Sequence, residues 1–283
     1  MNKFTWAFFG TSNFSVMILD RMKASGLMPN LIVTTEDKPK GRKLVITPPE
    51  VKTWAIKEGV TFIQPKSLKD PVIIDEIKKY SLDFDLFLVA SYGKIIPAHV
   101  LDIPKRKTIN VHPSLLPKLR GASPIQTSII TEDETGVTIM RLDPGMDTGP
   151  IISQRKVEVS DWPPYEADLE KILAEESGKL LLEILPNWMD GTQQEIPQNN
   201  EEATFTKKIN KEDAELDLSL SSDHNLRKIR AFHIWPGAFF FDNGKRVIVK
   251  RARVENNLLI LERVVPEGKK EMDYQSYLNG KKS

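Results

Sequence analysis

Short apolar runs and segments of helical periodicity alternate along the amino-terminal part of the chain. Residues 4–9 and Leu86–Ala90 are continuous apolar runs, as in buried parallel strands. Residues 14–23 carry apolar side chains at helical spacing, which predicts an amphipathic helix. Strands and helices that alternate in this way pack as a mainly parallel sheet with helices on both faces. The pattern therefore predicts an α/β fold that opens with a Rossmann-like unit of strand, glycine turn and helix.

The carboxy-terminal part has a different pattern. Residues 165–189 form the longest helical pattern, in which Pro186 is expected to end or kink the helix. Residues 190–206 are polar and poor in apolar side chains, as in an interdomain linker. Beyond them, short strand patterns flank Asn243-Gly244, a pair that favours a tight hairpin turn. These features predict a first domain at 1–189, a linker at 190–206 and a small β-barrel-like domain at 207–283.

Composition narrows the class of protein without adding a site. The formal net charge is +1, so nucleic-acid binding would need a local cationic patch. The chain has no cysteine, which excludes disulfides and agrees with the cytoplasm as the expected compartment. No apolar stretch approaches the roughly 20 residues of a membrane span, so no membrane association is expected. The four histidines lack metal-ligand spacing, so no metal is expected, and a monomer is the default expectation.

The stretch from Asn110 to Gly149 carries the candidate chemistry. Asn110 and His112 lie two residues apart at the end of a predicted strand, so their side chains share a face. An imidazole can exchange a proton near neutral pH, and a carboxamide can donate a hydrogen bond to an oxygen that gains negative charge. Asp147, between glycine-bearing turns, can orient the imidazole or stabilise its charged form. Together they would suit attack of an amine on a carbonyl carbon, although a single histidine at a strand end is more often structural.

Two long segments carry a family resemblance: NVHPSLLPKLRGASPIQ, from Asn110, and ETGVTIMRLDPGMDTGPIISQ, from Glu134. They resemble the signature of the 10-formyltetrahydrofolate-dependent formyltransferases, and most closely the methionyl-tRNA formyltransferases. KIRAFHIWPGAFF and PEGKKEM extend the similarity to the carboxy-terminal domain. The resemblance implies transfer of a formyl group from the co-substrate 10-formyltetrahydrofolate to the amino group of initiator methionyl-tRNA. It also implies that Asn110, His112 and Asp147 form the catalytic set and that no metal is needed.

The same resemblance implies two sets of binding residues. The folate would be contacted by backbone groups at the end of the Leu86–Ala90 strand and in the turn after it, by the loop after His112, and by a later glycine. The implied residues are Leu88, Val89, Ala90, Tyr92, Ser114, Leu115, Leu116, Pro117 and Gly145. A basic insertion after the second strand, and cations along one face of the small β domain, would contact transfer RNA: Lys38, Lys40, Arg42, Lys43, Lys207, Lys250 and Arg251. The insertion is polar and broken by prolines, so it is expected to be a mobile loop that does not pack.

The chain departs from the family pattern at two places. The sequence around Lys38 differs from the family's usual run, which leaves the contacts of the insertion open. Between Val254 and Leu258 the chain lacks two or three strands of the usual barrel, which predicts a shortened OB-like domain.

Three alternatives also stay open. The acceptor could be an amino-sugar nucleotide or a glycinamide nucleotide, although neither needs a basic insertion or a second domain. The third alternative is a non-catalytic nucleic-acid-binding relative, which would have no chemical reason to keep the three catalytic-type side chains.

Overall fold

A computed structural model describes residues 4–41, 44–70 and 72–281. In chain order its elements are β1 (Trp6–Gly10), α1 (Asn13–Ala24), β2 (Leu31–Val33), β3 (Lys38–Lys40), β4 (Val45–Thr47), α2 (Glu50–Glu58), β5 (Phe62–Ile63), α3 (Val72–Lys78), β6 (Leu86–Ala90), α4 (Ala98–Leu101), β7 (Thr108–His112), β8 (Arg120–Gly121), α5 (Pro124–Thr131), β9 (Thr135–Arg141), β10 (Ile151–Val157), α6 (Glu166–Asp190), β11 (Phe205–Thr206), α7 (Ser222–Ala231), β12 (Phe239–Asp242), β13 (Lys245–Glu255), β14 (Leu258–Pro266), β15 (Met272–Asp273) and α8 (Tyr274–Asn279). The larger of two units comprises Met1–Gly121, Thr135–Val157 and Lys171–Phe205; the smaller comprises Ala122–Glu134, Glu158–Glu170 and Thr206–Ser283.

The larger unit is built on a seven-stranded sheet with the strand order β10-β9-β7-β6-β1-β2-β5. Strands β1, β2, β5, β6 and β7 are parallel, and β9 and β10 add antiparallel pairs at one edge. The strand order reverses beside β1, and open α/β sheets bind ligands outside the carboxyl ends of the strands at such a point. The predicted mainly parallel sheet is confirmed.

Helices cover both faces of the sheet at its parallel strands, which explains why β1, β2 and β6 are continuous apolar runs. On one face Phe87 packs in a cluster with Ile77 of α3 and Val100 of α4. Trp6 and Phe8 alternate with the residues of that cluster, so they point to the opposite face, where they are fully buried. Burial of each large side chain contributes about 1.5–3 kcal/mol of transfer free energy, so the sheet forms the main core.

The basic insertion contains regular structure, so the expectation of an irregular loop is wrong, although both of its strands are exposed, as its polar composition predicts. Strands β3 and β4 form an antiparallel hairpin in which Lys38 lies opposite Thr47. Three consecutive β-branched residues, Val45, Ile46 and Thr47, favour an extended backbone in β4. Beside the hairpin, Lys52 pairs with both oxygens of Asp37 at 2.8 Å.

The sequence predicts that Pro186 ends or kinks helix α6, but the helix does not end there. It continues to Asp190, and Trp188 beyond the proline is buried and donates its indole N–H to the oxygen of Arg106 at 2.9 Å. A proline inside a helix costs roughly 3 kcal/mol or more. Packing of the apolar side chains on both sides of Pro186 offsets this cost, which propensity alone does not capture.

The smaller unit combines helices with an antiparallel sheet of strand order β12-β13-β14-β15. The predicted Asn243-Gly244 turn has φ values of 48° and 75°, as a tight hairpin requires. Asn256 and Asn257, with φ values of 49° and 60°, connect β13 directly to β14. Among the described pairings β12 and β15 lie at opposite edges, so this four-stranded sheet is open.

Among the residues that the structure describes, no helix has both the length and the apolar composition needed to cross a bilayer.

Glu166, in the first turn of α6, is a partly buried carboxyl group of the smaller unit. Burial raises the pKa of Glu166 to about 7, and the nearby charge of Glu170 adds to the rise. A hydrogen bond from Gln126 Nε2 to Glu166 Oε1, at 2.5 Å, opposes the rise. The folded state therefore favours the protonated carboxyl.

Glu166→Gln should raise the thermal midpoint at pH 8 and change it much less at pH 5. The contribution of the protonated carboxyl to the stability of the folded state is fully present below the ordinary pKa of 4.5 and is lost as the pH rises through about 7. The glutamine side chain keeps an oxygen that can accept the hydrogen bond from Gln126, but it carries no charge. We therefore expect the free energy of unfolding to rise by about 1–2 kcal/mol at pH 8. Thermal unfolding at both pH values measures it, with the exposed Asp168→Asn as control. Equal gains at pH 5 and pH 8 would contradict the account.

Candidate active site

His112 and Asp147 meet beside the end of β7. His112 is the last residue of that strand, and Asp147 lies in the loop between β9 and β10. Their side chains are 5% and 17% exposed, and Nδ1 of the imidazole lies 3.8 Å from Oδ2 of the carboxylate. This separation is too long for a hydrogen bond but short enough for a direct charge interaction. The structure thus brings together two of the three side chains that the motif selects.

A backbone carbonyl sets the orientation of His112. Its Nε2 lies 3.0 Å from the oxygen of Leu119. A carbonyl oxygen can only accept, so Nε2 carries the hydrogen, and the neutral ring has its lone pair on Nδ1, towards Asp147. Leu119 has a φ of 60°, in the left-handed region that leucine rarely adopts. Its N–H donates to Thr204 Oγ1 at 2.8 Å, which helps to hold that conformation.

Asp147 is fixed by the loop that carries it. Its φ of 54° lies in the left-handed region, which aspartate tolerates better than most residues. Its Oδ2 accepts the N–H of Gly121 at 2.8 Å. Earlier in the loop, Asp143 Oδ1 accepts the N–H of Gly145 at 3.0 Å and the hydroxyl of Thr148 at 2.7 Å. These bonds place the carboxylate rather than leaving it free in solvent.

Asn110 occupies the same face of β7 as His112, because the two residues are two positions apart on one strand. It lies opposite Val89 of β6 and Met140 of β9 and is 8% exposed. The carboxamide therefore projects from the centre of the sheet, on the side to which the imidazole points.

The loop at residues 114–117 is attached to the antiparallel edge of the sheet. Thr138 Oγ1 donates to the oxygen of Ser114 at 2.6 Å and accepts the N–H of Leu116 at 3.2 Å. Gln154 Nε2 donates to the oxygen of Leu116 at 2.8 Å and to Thr138 Oγ1 at 2.9 Å. The proline-rich loop therefore has a defined position beside His112.

The residues predicted to contact folate differ in exposure. Buried are Leu88, Val89, Ala90, Tyr92, Ser114 and Leu116; Leu115 and Pro117 are half-buried, and Gly145 is exposed. Burial, with a smaller contribution from the charge of Glu36, raises the pKa of Tyr92. The oxygens of Ala90 and Tyr92 accept the hydroxyls of Ser15 and Thr11, at 2.6 and 2.8 Å. Because the side chains of Leu88, Val89, Ala90 and Tyr92 are buried, the backbone of these residues is the part that could contact a ligand.

The predicted RNA-binding cations of the insertion lie partly in the hairpin. Lys38 and Lys40 are exposed on β3, and Lys40 pairs with Glu50 at 2.5 Å. Arg42 and Lys43 lie outside the described residues.

The predicted RNA-binding cations of the smaller unit have partners within that unit. Lys207 is 79% exposed and pairs with Asp213 at 2.7 Å. Lys250 donates to the oxygen of His233 at 3.0 Å, and Arg251 pairs with Glu262 at 3.0 Å.

The segment at 190–206 contributes contacts to the site that its sequence does not predict. Its backbone pairs with β10, since Ile151 and Ile196 exchange two hydrogen bonds of 2.8 Å. Gln198 accepts hydrogen bonds from the buried Arg120 and donates to the oxygen of Asp147. The polar composition of this segment equally suits a solvated linker, so no local signal marks Gln198.

Across residues 4–41, 44–70 and 72–281, no group of three or more histidine, aspartate or glutamate side chains is placed to hold a metal ion.

Two family models match the chain. The model described as formyl transferase matches residues 3–185, and the model described as formyl transferase, C-terminal domain, matches residues 208–259. The first match alone covers more than half of the 283 residues. The chain belongs to the formyl transferase family. The region matched by the first formyl transferase model contains Asn110, His112 and Asp147.

The chain is also similar to individual formyl transferases in sequence and in structure. The chain is 39% identical over 250 residues to methionyl-tRNA formyltransferase of Chloroflexus aggregans, covering 87% of this chain and 79% of that relative. It is 37% identical over 301 aligned positions to methionyl-tRNA formyltransferase of Dictyoglomus thermophilum, covering 96% of each. A solved structure of methionyl-tRNA formyltransferase from Clostridium thermocellum superposes with a TM-score of 0.63 at 18% identity, covering 93% of this chain and 98% of that one. That superposition shows a shared formyl transferase fold.

Proposed function

We propose that the protein transfers the formyl group of 10-formyltetrahydrofolate to the α-amino group of methionine carried by initiator transfer RNA. The observation that carries the proposal is the approach of His112 Nδ1 to Asp147 Oδ2, at 3.8 Å, beside the strand face that bears Asn110. Membership of the formyl transferase family supports the reaction. Relatives named methionyl-tRNA formyltransferase, at 37% and 39% identity, support this acceptor.

His112 is the proposed general base and acid. The attacking amine must lose a proton, and the lone pair on Nδ1 can accept it. The N–H formed in this way points towards Asp147, whose negative charge stabilises the imidazolium. The bond from Nε2 to the oxygen of Leu119 keeps the ring from turning away. The proton can then pass to the nitrogen of the folate as its bond to the formyl carbon breaks, so no proton is consumed.

Asn110 is the proposed donor to the formyl oxygen. This oxygen gains negative charge as the amine attacks, and Nδ2–H of a fixed carboxamide stabilises that charge more than it stabilises the uncharged carbonyl. Asn110 suits the role because it lies on a central strand and is 8% exposed, so little water competes with it.

The folate supplies a formyl carbon that is already bonded to a nitrogen leaving group. We assign its contacts to the backbone at residues 88–92, to the loop at residues 114–117 and to Gly145. The attachment of that loop to Thr138 and Gln154 supports the assignment, because a fixed loop loses little entropy when a ligand binds.

The proposed roles of the domains follow the boundaries predicted from the sequence. Residues 1–189 would carry out the reaction, residues 207–283 would contact transfer RNA, and residues 190–206 would connect them. Arg42, Lys43, Lys207, Lys250 and Arg251 remain proposed RNA contacts together with the hairpin lysines. Since initiator transfer RNA is used where proteins are synthesised, the cytoplasm is the proposed compartment.

Lys38→Ala should weaken binding of transfer RNA and lower its salt dependence, without slowing the chemical step. Lys38 is exposed on the hairpin after β2, and each phosphate contact that is removed lowers the slope of log K against log salt by about 0.7–0.9. Titrations of methionyl-tRNA binding across a salt series measure the slope. Lys105→Ala is the control, because Lys105 lies at the amino-terminal ends of the parallel strands, opposite to the hairpin. Equal slopes for Lys38→Ala and the unaltered protein would exclude the contact.

The function is tested by supplying 10-formyltetrahydrofolate with a labelled formyl group and offering one acceptor at a time. Initiator methionyl-tRNA, elongator methionyl-tRNA and an amino-sugar nucleotide are the three acceptors. We expect label on methionine of the initiator transfer RNA. Label only on the sugar would replace the proposed acceptor, and label on no acceptor would reject the proposed activity.

A further inference from the structure

The carboxamide of Gln198 connects the loop after β7 to the loop before β10. Its Oε1 accepts two hydrogen bonds from Arg120, from Nε at 3.0 Å and from Nη2 at 2.7 Å. Its Nε2 donates to the backbone oxygens of Asp147, at 2.8 Å, and Gly149, at 2.7 Å. All four hydrogen-bonding positions of this amide are therefore used.

Only one orientation of this amide satisfies its neighbours. A guanidinium can only donate and backbone oxygens can only accept, so exchanging the ends of the amide would place donor against donor and acceptor against acceptor. Arg120 is 2% exposed and also donates to Asn200 Oδ1 at 2.9 Å, which fixes the guanidinium. Arg120 therefore determines that the N–H₂ of Gln198 points at the loop of Asp147.

The segment that carries Gln198 is itself anchored. Glu195 accepts hydrogen bonds from Arg141 Nε at 2.9 and 3.0 Å. Ile196 exchanges two backbone hydrogen bonds with Ile151, the first residue of β10. Two residues later, Gln198 is presented from a fixed backbone rather than from a free chain.

The loop of Asp147 needs external support. The left-handed backbone of Asp147 is uncommon for a residue with a side chain, and such a conformation persists when surrounding contacts hold it. Gly149 lies so close to the oxygen of Arg141 that no side chain would fit there. The hydrogen bonds from Gln198 to both backbone oxygens fix this turn, while the N–H of Gly121 fixes the carboxylate.

We propose that Gln198 is a positioning residue for formyl transfer, which holds the carboxylate of Asp147 within reach of His112. This inference rests on the proposed function. Gln198 does not touch the reacting atoms; it acts through the backbone of Asp147. The proposal assigns a role in the reaction to a segment whose composition is that of a linker.

Gln198→Glu is the sharpest test, because it keeps the shape of the side chain and an acceptor for Arg120 but removes both donors to the loop. Gln198→Met removes every polar contact without adding charge. The matched control is Gln193→Glu, since Gln193 lies in the same segment and donates to the oxygen of Ile152 at 3.0 Å. Steady-state kinetics with methionyl-tRNA and 10-formyltetrahydrofolate give kcat and KM for each variant, and thermal unfolding gives its stability.

We expect both Gln198 variants to lose about 10- to 100-fold in kcat, with KM for transfer RNA within about threefold. Gln198→Glu keeps an acceptor for the buried Arg120 and should change the thermal midpoint little, whereas Gln198→Met removes that acceptor and should lower the midpoint. Gln193→Glu should keep the kcat of the unaltered protein. Equal kcat in the Gln198 variants and the unaltered protein would overturn the proposal, as would equal losses in Gln193→Glu. If the unaltered protein formylates no methionyl-tRNA, the proposed function fails first, and the positioning role falls with it.

Discussion

Replacing His112 by alanine should lower kcat by about 10²–10⁴-fold, the usual contribution of a general acid–base catalyst. The variant loses Nδ1, the nitrogen that faces Asp147 with a lone pair available for the proton of the amine. Binding of either substrate should change little, because the imidazole accepts a proton only during the chemical step. Single-turnover formyl transfer at saturating substrates measures the chemical step directly.

His99→Ala is a matched control for this variant. His99 Nε2 lies 3.0 Å from the oxygen of Leu68, so it makes the same kind of bond to a backbone carbonyl as His112 makes. His99→Ala should therefore show any effect of losing such a bond, but should keep its formyl-transfer rate. If both variants transfer at the rate of the unaltered protein, His112 is a structural histidine at a strand end.

The second large effect is expected at Asn110. Asn110→Ala should slow formyl transfer by about 10²–10³-fold, as removal of one donor to a developing oxyanion does. Asn110→Asp should be slower still, because a carboxylate would repel the oxygen instead of donating to it. The rate of formyl transfer in single turnovers gives both values.

The order of these two variants separates the roles that Asn110 could have. A residue that only fills space would tolerate aspartate better than alanine, because aspartate is closer in volume to asparagine. A rate for Asn110→Asp at or above that of Asn110→Ala would therefore contradict the proposed donor role.

The features that sequence patterns predicted are those that local chemistry determines. Leu86–Ala90 was predicted to its ends because a strand buried on both faces needs an unbroken apolar run. Asn110 and His112 were selected because two positions on a strand share a face. Asp147 was selected by its motif, and its position near His112 depends on a left-handed backbone that composition does not reveal.

The features that were missed depend on contacts between distant parts of the chain. Polar residues of the 190–206 segment, Gln198 and Glu195, hydrogen-bond to Arg120 and Arg141, but a solvated linker would have the same composition. Helix α6 continues through Pro186 because residues such as Trp188 beyond it are buried. Neither partner, Arg120 or Arg106, can be identified from periodicity.

The cations of β13 illustrate the same limit. The resemblance implies a basic face on the small β domain, but Arg251 and Arg253 of β13 both pair with Glu262 on the neighbouring strand β14, at 3.0 and 2.6 Å. Charge counted along one strand therefore overstates the cationic field that a nucleic acid would meet.

The most direct test of the central claim is a double-mutant cycle between His112 and Asp147, measured as single-turnover formyl transfer to initiator methionyl-tRNA. The rates of His112→Ala, Asp147→Ala and the double variant are compared with that of the unaltered protein. If the imidazole and the carboxylate act as one unit, the double variant should be within about threefold of the slower single variant. Losses that multiply would show that the two side chains act independently, and would contradict the account.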